Sequence, residues 1–333
     1  MGESESNALV PYGDGAGFDL ASAPAGSLPA IVEAAGPRAR KRFVEFFAAE
    51  IRNPKTRRAY AFAVRRFTDW CEARCFALER IEPVIVAAYV EGLQKELAAP
   101  SVKQHLAAIR RLFDYLATGG VLQGNPASSV RGPKHVVKVG KTPVLNEEEA
   151  RALFDSIDTA MLVGLRDRAF LAVMTYSFAR VGAVVKMEVR DYYTQGKRSW
   201  FRLHEKGGKY HQVPVHHRAG EYVDAYLEAA GILGEARSPL FRTSLARTGR
   251  LTANALTENA ALRIVKRRAA AAGLPREICC HTFRATGITS YLLNGGEVSK
   301  AQKIANHESP RTTELYNRTQ DEVTLDEIER IRI

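Results

Sequence analysis

The sequence predicts a mainly α-helical protein of two domains, with a small β-sheet confined to the second. Three observations carry that expectation. Apolar residues recur at helical spacing in two long segments before residue 120, a stretch without any period follows at 124–143, and one β-rich interruption falls at 199–216 in an otherwise helical remainder. At 333 residues the chain is also long for one compact domain.

Residues 1–36 are rich in Gly, Ala, Ser and Pro, carry five acids and no Lys or Arg, and are expected to form a disordered acidic tail. A helical domain is expected over 37–123. Within it "NPKTRRAYAFAVRRFTDWCEA" opens with Asn53 as helix cap and Pro54 at the first helical position. Tyr60, Val64, Phe67 and Cys71 then form a core-facing stripe. Lys55, Arg58 and Arg65 fall on another face, with Arg66 beside it. The design recurs in "SVKQHLAAIRRLFDYLATGG": Leu106, Ile109, Leu112, Phe113 and Leu116 make the stripe, Lys103, Arg110 and Arg111 lie off it, and Gly119-Gly120 stop the helix.

Residues 124–143, with Pro, Gly and Lys but no period, read as a basic linker. The second domain, 144–333, opens at "LNEEEARALF", where Asn146 and Glu149 have capping-box spacing. "SWFRLHEKGGKYHQVPVH" reads as two short strands around a Gly207-Gly208 turn. From residue 320 the chain ends in an acidic segment with apolar Val323, Leu325, Ile328 and Ile331, expected to be an interaction segment.

Composition narrows the function. The net charge of +11 divides as −5 over 1–36, +9 over 37–135 and +7 over the rest. A basic body behind an acidic head suits a polyanionic partner, nucleic acid first, although basic charge also serves solubility alone. Two helices with basic faces in one small domain favour a DNA-binding role for Lys55, Arg58, Arg65, Arg66, Lys103, Arg110 and Arg111. Cys71, Cys75, Cys279 and Cys280 fit neither a disulfide framework nor a zinc site, and read as buried, reduced cysteines. No run of 18 apolar residues and no basic-then-apolar leader occurs, so a cytoplasmic protein without membrane association is expected.

Two late features could carry chemistry. In "CCHTFRATGITSYLLNGG", His281 and Arg284 are three apart at the start of a helix and share a face. The free N–H groups and dipole there favour an anion, and an imidazole with a guanidinium makes a phosphate seat. In "NHESPRTTELYNRT", Ser309 can cap and Pro310 can start a further helix, placing His307 just before it and Tyr316 just beyond. Gly295-Gly296 and "EVSKAQKIA" between them let the chain fold back, bringing His307 near His281 and Arg284. Taken singly, each is more ordinary as a capping, surface or core residue.

The set His281-x-x-Arg284, His307 and Tyr316 resembles the C-terminal motif of the tyrosine recombinases, the phage integrase family. "NPKTRRAYAFAVRRFTDWC" and "SVKQHLAAIRRLFDYL" resemble helices of that family's core-binding domain. "TYSFARVGAVVKMEVRDY" resembles the segment with its first catalytic arginine, here Arg180, and "HEKGGKYHQVPV" its hairpin, whose lysine falls on Lys206. The resemblance implies a two-domain clamp on double-stranded DNA with specific recombination sites. It also implies a homo-tetramer on synapsed DNA, exchanging strands through a Holliday junction, and a monomer or weak oligomer when free.

Those residue types suit cutting a phosphodiester with Tyr316 to leave a covalent 3′-phosphotyrosine. Arg180 and Arg284 clamp the non-bridging oxygens, His281 and His307 add hydrogen bonds or proton transfer, and Lys206 is the general acid. Lys209 is the rival lysine and otherwise a DNA contact. Arg166 and Arg168 are expected to be structural or surface residues. His204, His211, His216 and His217 lack companion ligands, so no metal is assigned. No cofactor is expected: the sequence has neither a carboxylate cluster for two metals nor GxxxxGK[ST] for a nucleotide. The chain departs from the family pattern twice, with Arg180-Val181-Gly182-Ala183 where Arg-(Ile/Val)-Ser-Glu is usual, and Asn306 where Gly is usual. A type IB topoisomerase and an inactive DNA-binding regulator of the same fold remain alternatives.

Overall fold

The computed structural model describes residues 28–135, 140–205, 210–245, 248–317 and 328–329. The chain divides into two compact units, residues 1–136 and 137–333.

The first unit is helical: α1 (Ala30–Ala34), α2 (Pro37–Glu45), α3 (Pro54–Glu72), α4 (Pro83–Glu96) and α5 (Ala99–Thr118). Proline begins α2, α3 and α4, where its missing N–H costs nothing, and the Asn53 side chain accepts from the Lys55 and Thr56 backbone amides. Val64, Phe67 and Cys71 of α3 are buried with Leu106, Ile109, Leu112, Phe113 and Leu116 of α5. Phe67 meets Tyr89 and Phe113 edge-on, with ring centroids 5.0 and 5.8 Å apart. Gly119 ends α5, and Gly120 turns the chain at φ +66°.

Two expectations are corrected here. Part of the tail expected over 1–36 is ordered: Ile31 and Val32 of α1 are buried in the core, and the Ile31 amide donates to Glu72 Oε1 at 3.0 Å. An apolar pair with a helix to pack on escapes the composition argument for disorder; residues 1–27 lie outside the described residues. The linker expected over 124–143 is likewise not free at its start. Ala127 and Val130 are buried in the first unit, and Arg110 donates to both their carbonyls.

In the second unit come α6 (Glu147–Asp155), α7 (Leu162–Tyr176) and α8 (Val181–Val184). Three strands follow, β1 (Tyr192–Gln195), β2 (Arg198–His204) and β3 (Tyr210–Pro214), then α9 (His217–Ala230), β4 (Arg242–Ser244) and β5 (Leu251–Ala255). The unit continues with α10 (Glu258–Ala271), α11 (Cys280–Leu293), α12 (Val298–Ala305) and α13 (Pro310–Glu314). The Asn146–Glu149 capping box is present in both directions.

The central helix is α7, where six consecutive residues from Ala169 to Met174 are fully buried, so no stripe is visible in its sequence. It also carries buried Asp167, satisfied by Arg166, Arg267 and Arg268 at 2.7–2.8 Å. Arg166 is thus structural, and Arg168 lies over the Tyr222 ring.

The hairpin expected around Gly207-Gly208 pairs β2 with β3, Leu203 opposite His211 and His204 opposite Tyr210. Phe201, Leu203 and Val213 point into the core. The β-content exceeds the expectation in two places. β1 adds a third antiparallel strand through a turn with Gly196 at φ +64°, and β4–β5 form a separate two-stranded sheet. Among the described residues, no helix is long and apolar enough to cross a membrane. All four cysteines are free; Cys71 and Cys280 are buried, whereas Cys75 is exposed in the turn after α3.

Candidate active site

The site begins where α11 crosses α7. A Cβ added at Gly287 would overlap the Thr175 carbonyl oxygen, so glycine permits the close approach. One turn earlier Arg284, 1% exposed, donates through Nη1 to the Phe178 carbonyl and through Nη2 to the Ala305 carbonyl at 2.7 Å. One guanidinium therefore ties the end of α7 and the end of α12 to α11. Its buried Nε has no partner by distance and angle among the described residues, and the guanidinium also acts on the Tyr316 phenol. Burial, and then Arg180, push Arg284 down to about 10, which leaves it charged at neutral pH.

Asn306 ends α12 in the left-handed conformation, φ 50° and ψ 51°. The turn reverses the chain and delivers His307, whose amide donates to Gln302 O at 3.1 Å while Gln302 Nε2 donates to its carbonyl at 3.1 Å. Ser309 occupies the cap position of α13, but its side chain makes no capping hydrogen bond. Thr313 supplies the tie instead, with its hydroxyl 2.8 Å from His307 Nδ1. Burial, then Arg284, Arg180 and His281, hold His307 down at about 4, so its ring is neutral at pH 7.

Tyr316 follows α13 and is 8% exposed. Its ring stacks on His307 with centroids 5.9 Å apart and packs among Phe178, Ile288 and Ala305, while Thr289 donates to its carbonyl at 3.3 Å. Its oxygen lies 2.7 Å from His281 Nε2. Burial raises the phenol above its ordinary value, against the pull of Arg284 and Arg180. Desolvation, then Arg284 and Arg180, all act to lower His281.

Arg180 stands at the N-cap of α8, 47% exposed, and its charge acts on His281, Arg284, His307 and Tyr316. His281, Arg284, His307, Tyr316 and Arg180 therefore share one electrostatic site. Lys206 and Lys209 lie outside the described residues.

Sequence reasoning missed three participants: Thr313, the Phe178 carbonyl, and Glu205, which accepts from Arg180 Nη1 at 3.0 Å. Glu205 lies inside the quoted hairpin, beside the lysines and histidines weighed there. The altered arginine motif also has a spatial account. Ala183 is buried, and a Cβ at Gly182 would lie 2.7 Å from Glu258 Oε1, so a carboxylate from α10 occupies the space beside the motif.

On the first unit, Arg58 and Lys103 are exposed. Arg65 pairs with Asp69 at 3.8 Å, Arg66 with Glu96, and Arg111 with Glu50. Arg110, expected on a DNA-facing surface, serves the backbone of residues 127 and 130 instead. The hairpin histidines have local jobs: His204 bonds Asp191 at 2.7 Å, His211 Nε2 meets Ile304 O at 2.9 Å, and His216 caps α9. No group of three metal-ligating side chains occurs among the described residues.

Known proteins resemble this chain over most of its length. Residues 143–323, more than half of the chain, match the model of the phage integrase family, and residues 41–120 match its N-terminal SAM-like domain. Tyrosine recombinase XerD of Listeria innocua serovar 6a is 28% identical over 232 residues, covering 69% of this chain and 76% of its own. Tyrosine recombinase XerC of Pelobacter propionicus is 28% identical over 267 residues, 79% of this chain and 84% of its own. The lambda integrase tetramer bound to a Holliday junction shares the fold with a TM-score of 0.61 at 19% identity, over 87% of this chain and 83% of that one.

Proposed function

This chain belongs to the phage integrase family, and we propose that it is a site-specific DNA recombinase acting through a Tyr316–DNA intermediate. The observation that carries the reading is the 2.7 Å contact between Tyr316 Oη and His281 Nε2, within reach of two arginine charges.

The chemistry follows from the protonation states. Tyr316 holds its proton at pH 7 and neutral His281 presents a lone pair to it, so His281 takes that proton as the phenol oxygen attacks phosphorus. A phosphorus–oxygen bond forms to Tyr316, the bond to the 5′-oxygen breaks, and Lys206 protonates the departing oxygen. The Arg284 and Arg180 charges stabilise the non-bridging oxygens. His307 Nδ1 is held 2.8 Å from the Thr313 hydroxyl, and the tautomer with its proton on Nε2 hydrogen-bonds the phosphate. Attack by a 5′-hydroxyl of the other strand reverses these steps, rejoins DNA and releases Tyr316.

The substrate is double-stranded DNA with specific sites, and the exchange runs in a homo-tetramer through a Holliday junction. The tetrameric lambda integrase on such a junction supports that assembly. The chain acts in the cytoplasm on bacterial or mobile DNA, with Arg58, Lys103 and their neighbours on the first unit contacting phosphates. The segment expected from residue 320 lies outside the described residues apart from 328–329; a role for it in assembly predicts that deleting 321–333 impairs recombination more than DNA binding.

A plasmid carrying paired target sites tests the function: exchange of the flanking segments is expected. Relaxation of supercoils without exchange would identify a topoisomerase instead, and binding without cleavage a regulator.

A further inference from the structure

Arg180 poses a positioning problem. Its long side chain leaves the N-cap of a four-residue helix and is 47% exposed, so the local backbone does little to fix its head. Clamping a phosphate in the transition state needs the guanidinium held in one orientation, and rotamer freedom in so long a side chain works against that. Beside it, Arg284 carries a like charge that pushes it away.

Glu205 answers both difficulties. Its side chain is only 8% exposed, at the end of β2, with the strand pairing of Leu203 and His204 fixing its root. Its carboxylate accepts from Arg180 Nη1 at 3.0 Å, and its charge also acts on Arg284. One bond to Nη1 leaves the other N–H groups of the fork for a bidentate phosphate contact. We propose that Glu205 is a positioning residue for DNA cleavage, holding the Arg180 guanidinium in the orientation that receives the scissile phosphate. The inference rests on the recombinase reading above. Glu205 also directly precedes Lys206, the general acid of the proposed mechanism, in the chain.

The test is a double-mutant cycle, read as the single-turnover rate of covalent adduct formation on a nicked suicide DNA substrate at saturating enzyme. Glu205→Ala should slow the rate by at least about tenfold, while affinity for the uncleaved site changes by less than about threefold. Glu205→Gln, which keeps an accepting oxygen, should recover part of the rate. In an Arg180→Lys background, where the fork is already lost, Glu205→Ala should add less than about threefold. Wild-type speed in Glu205→Ala, or a loss that recurs undiminished beside Arg180→Lys, would overturn the positioning role and leave the recombinase reading standing. Absence of any adduct from the wild type would overturn both. Equal melting temperatures for wild type, Glu205→Ala and Glu205→Gln are expected, and a rate loss that merely tracks a fall in melting temperature would also count against the inference.

Discussion

Tyr316 and His281 are 35 residues apart in sequence, yet the phenol oxygen of one lies 2.7 Å from Nε2 of the other. Burial pushes the two groups in opposite directions, Tyr316 up and His281 down, so at neutral pH the phenol holds its proton and the imidazole is uncharged. In the proposed mechanism these two groups are the acid and its base.

The first expectation concerns pH. A histidine lowered from its ordinary value stays neutral until the pH falls below about 6.5. At sub-saturating DNA, where the rate reports the free enzyme, cleavage should fall only below that pH. His281→Gln should be slower by roughly 10²–10⁴. An acid limb centred above about 6.5 would contradict the assignment of His281 as base.

Asn306 offers a conformational test. At φ 50° it needs a residue tolerant of the left-handed region, so Asn306→Gly should preserve both stability and cleavage. Asn306→Val should cost about 1–2 kcal/mol in chemical denaturation and slow cleavage, because His307 follows directly. Equal behaviour of the two variants would show that the turn does not set the position of His307.

His105 predicts an acid sensitivity of the first unit. It is 5% exposed, its Nδ1 lacks a hydrogen-bond partner among the described residues, and burial with Arg66 nearby holds it at about 4. The unfolded chain protonates near 6.5, so stability is present above that pH and is lost as pH falls toward 4, by about 2 kcal/mol at pH 5. His105→Leu should remove that loss in urea melts at pH 5 and 7. A variant whose stability drops as much as the wild type's would refute it.

The basic helices separate by salt dependence. Lys103→Ala and Arg58→Ala should weaken DNA binding and each reduce the slope of log K against log salt by about one. Arg110→Ala should leave that slope alone and lower stability by about 1–3 kcal/mol, since it strips the donor from two carbonyls in the 127–130 segment.

Much of this was legible in the sequence for local reasons. The Asn53 cap, the Asn146–Glu149 box and the α3 and α5 stripes depend on residues within a few positions of each other, and the structure holds each of them. The His281, Arg284, His307 and Tyr316 set was legible because fixed spacings along helices and turns brought it together. Features that depend on distant partners were not. Nothing local marks Arg110 as a brace for residues 127 and 130, Thr313 as the tie for His307, or Glu205 as the partner of Arg180. Strand β1 and the β4–β5 pair are too short and polar to signal themselves by alternation.

The central claim is that Tyr316 becomes covalently joined to DNA. Incubating the chain with a nicked suicide substrate, in which the cleaved fragment diffuses away, should trap a protein–DNA adduct whose linked peptide contains Tyr316, and Tyr316→Phe should form none. An adduct that persists in Tyr316→Phe, or one mapped to another residue, would contradict the account.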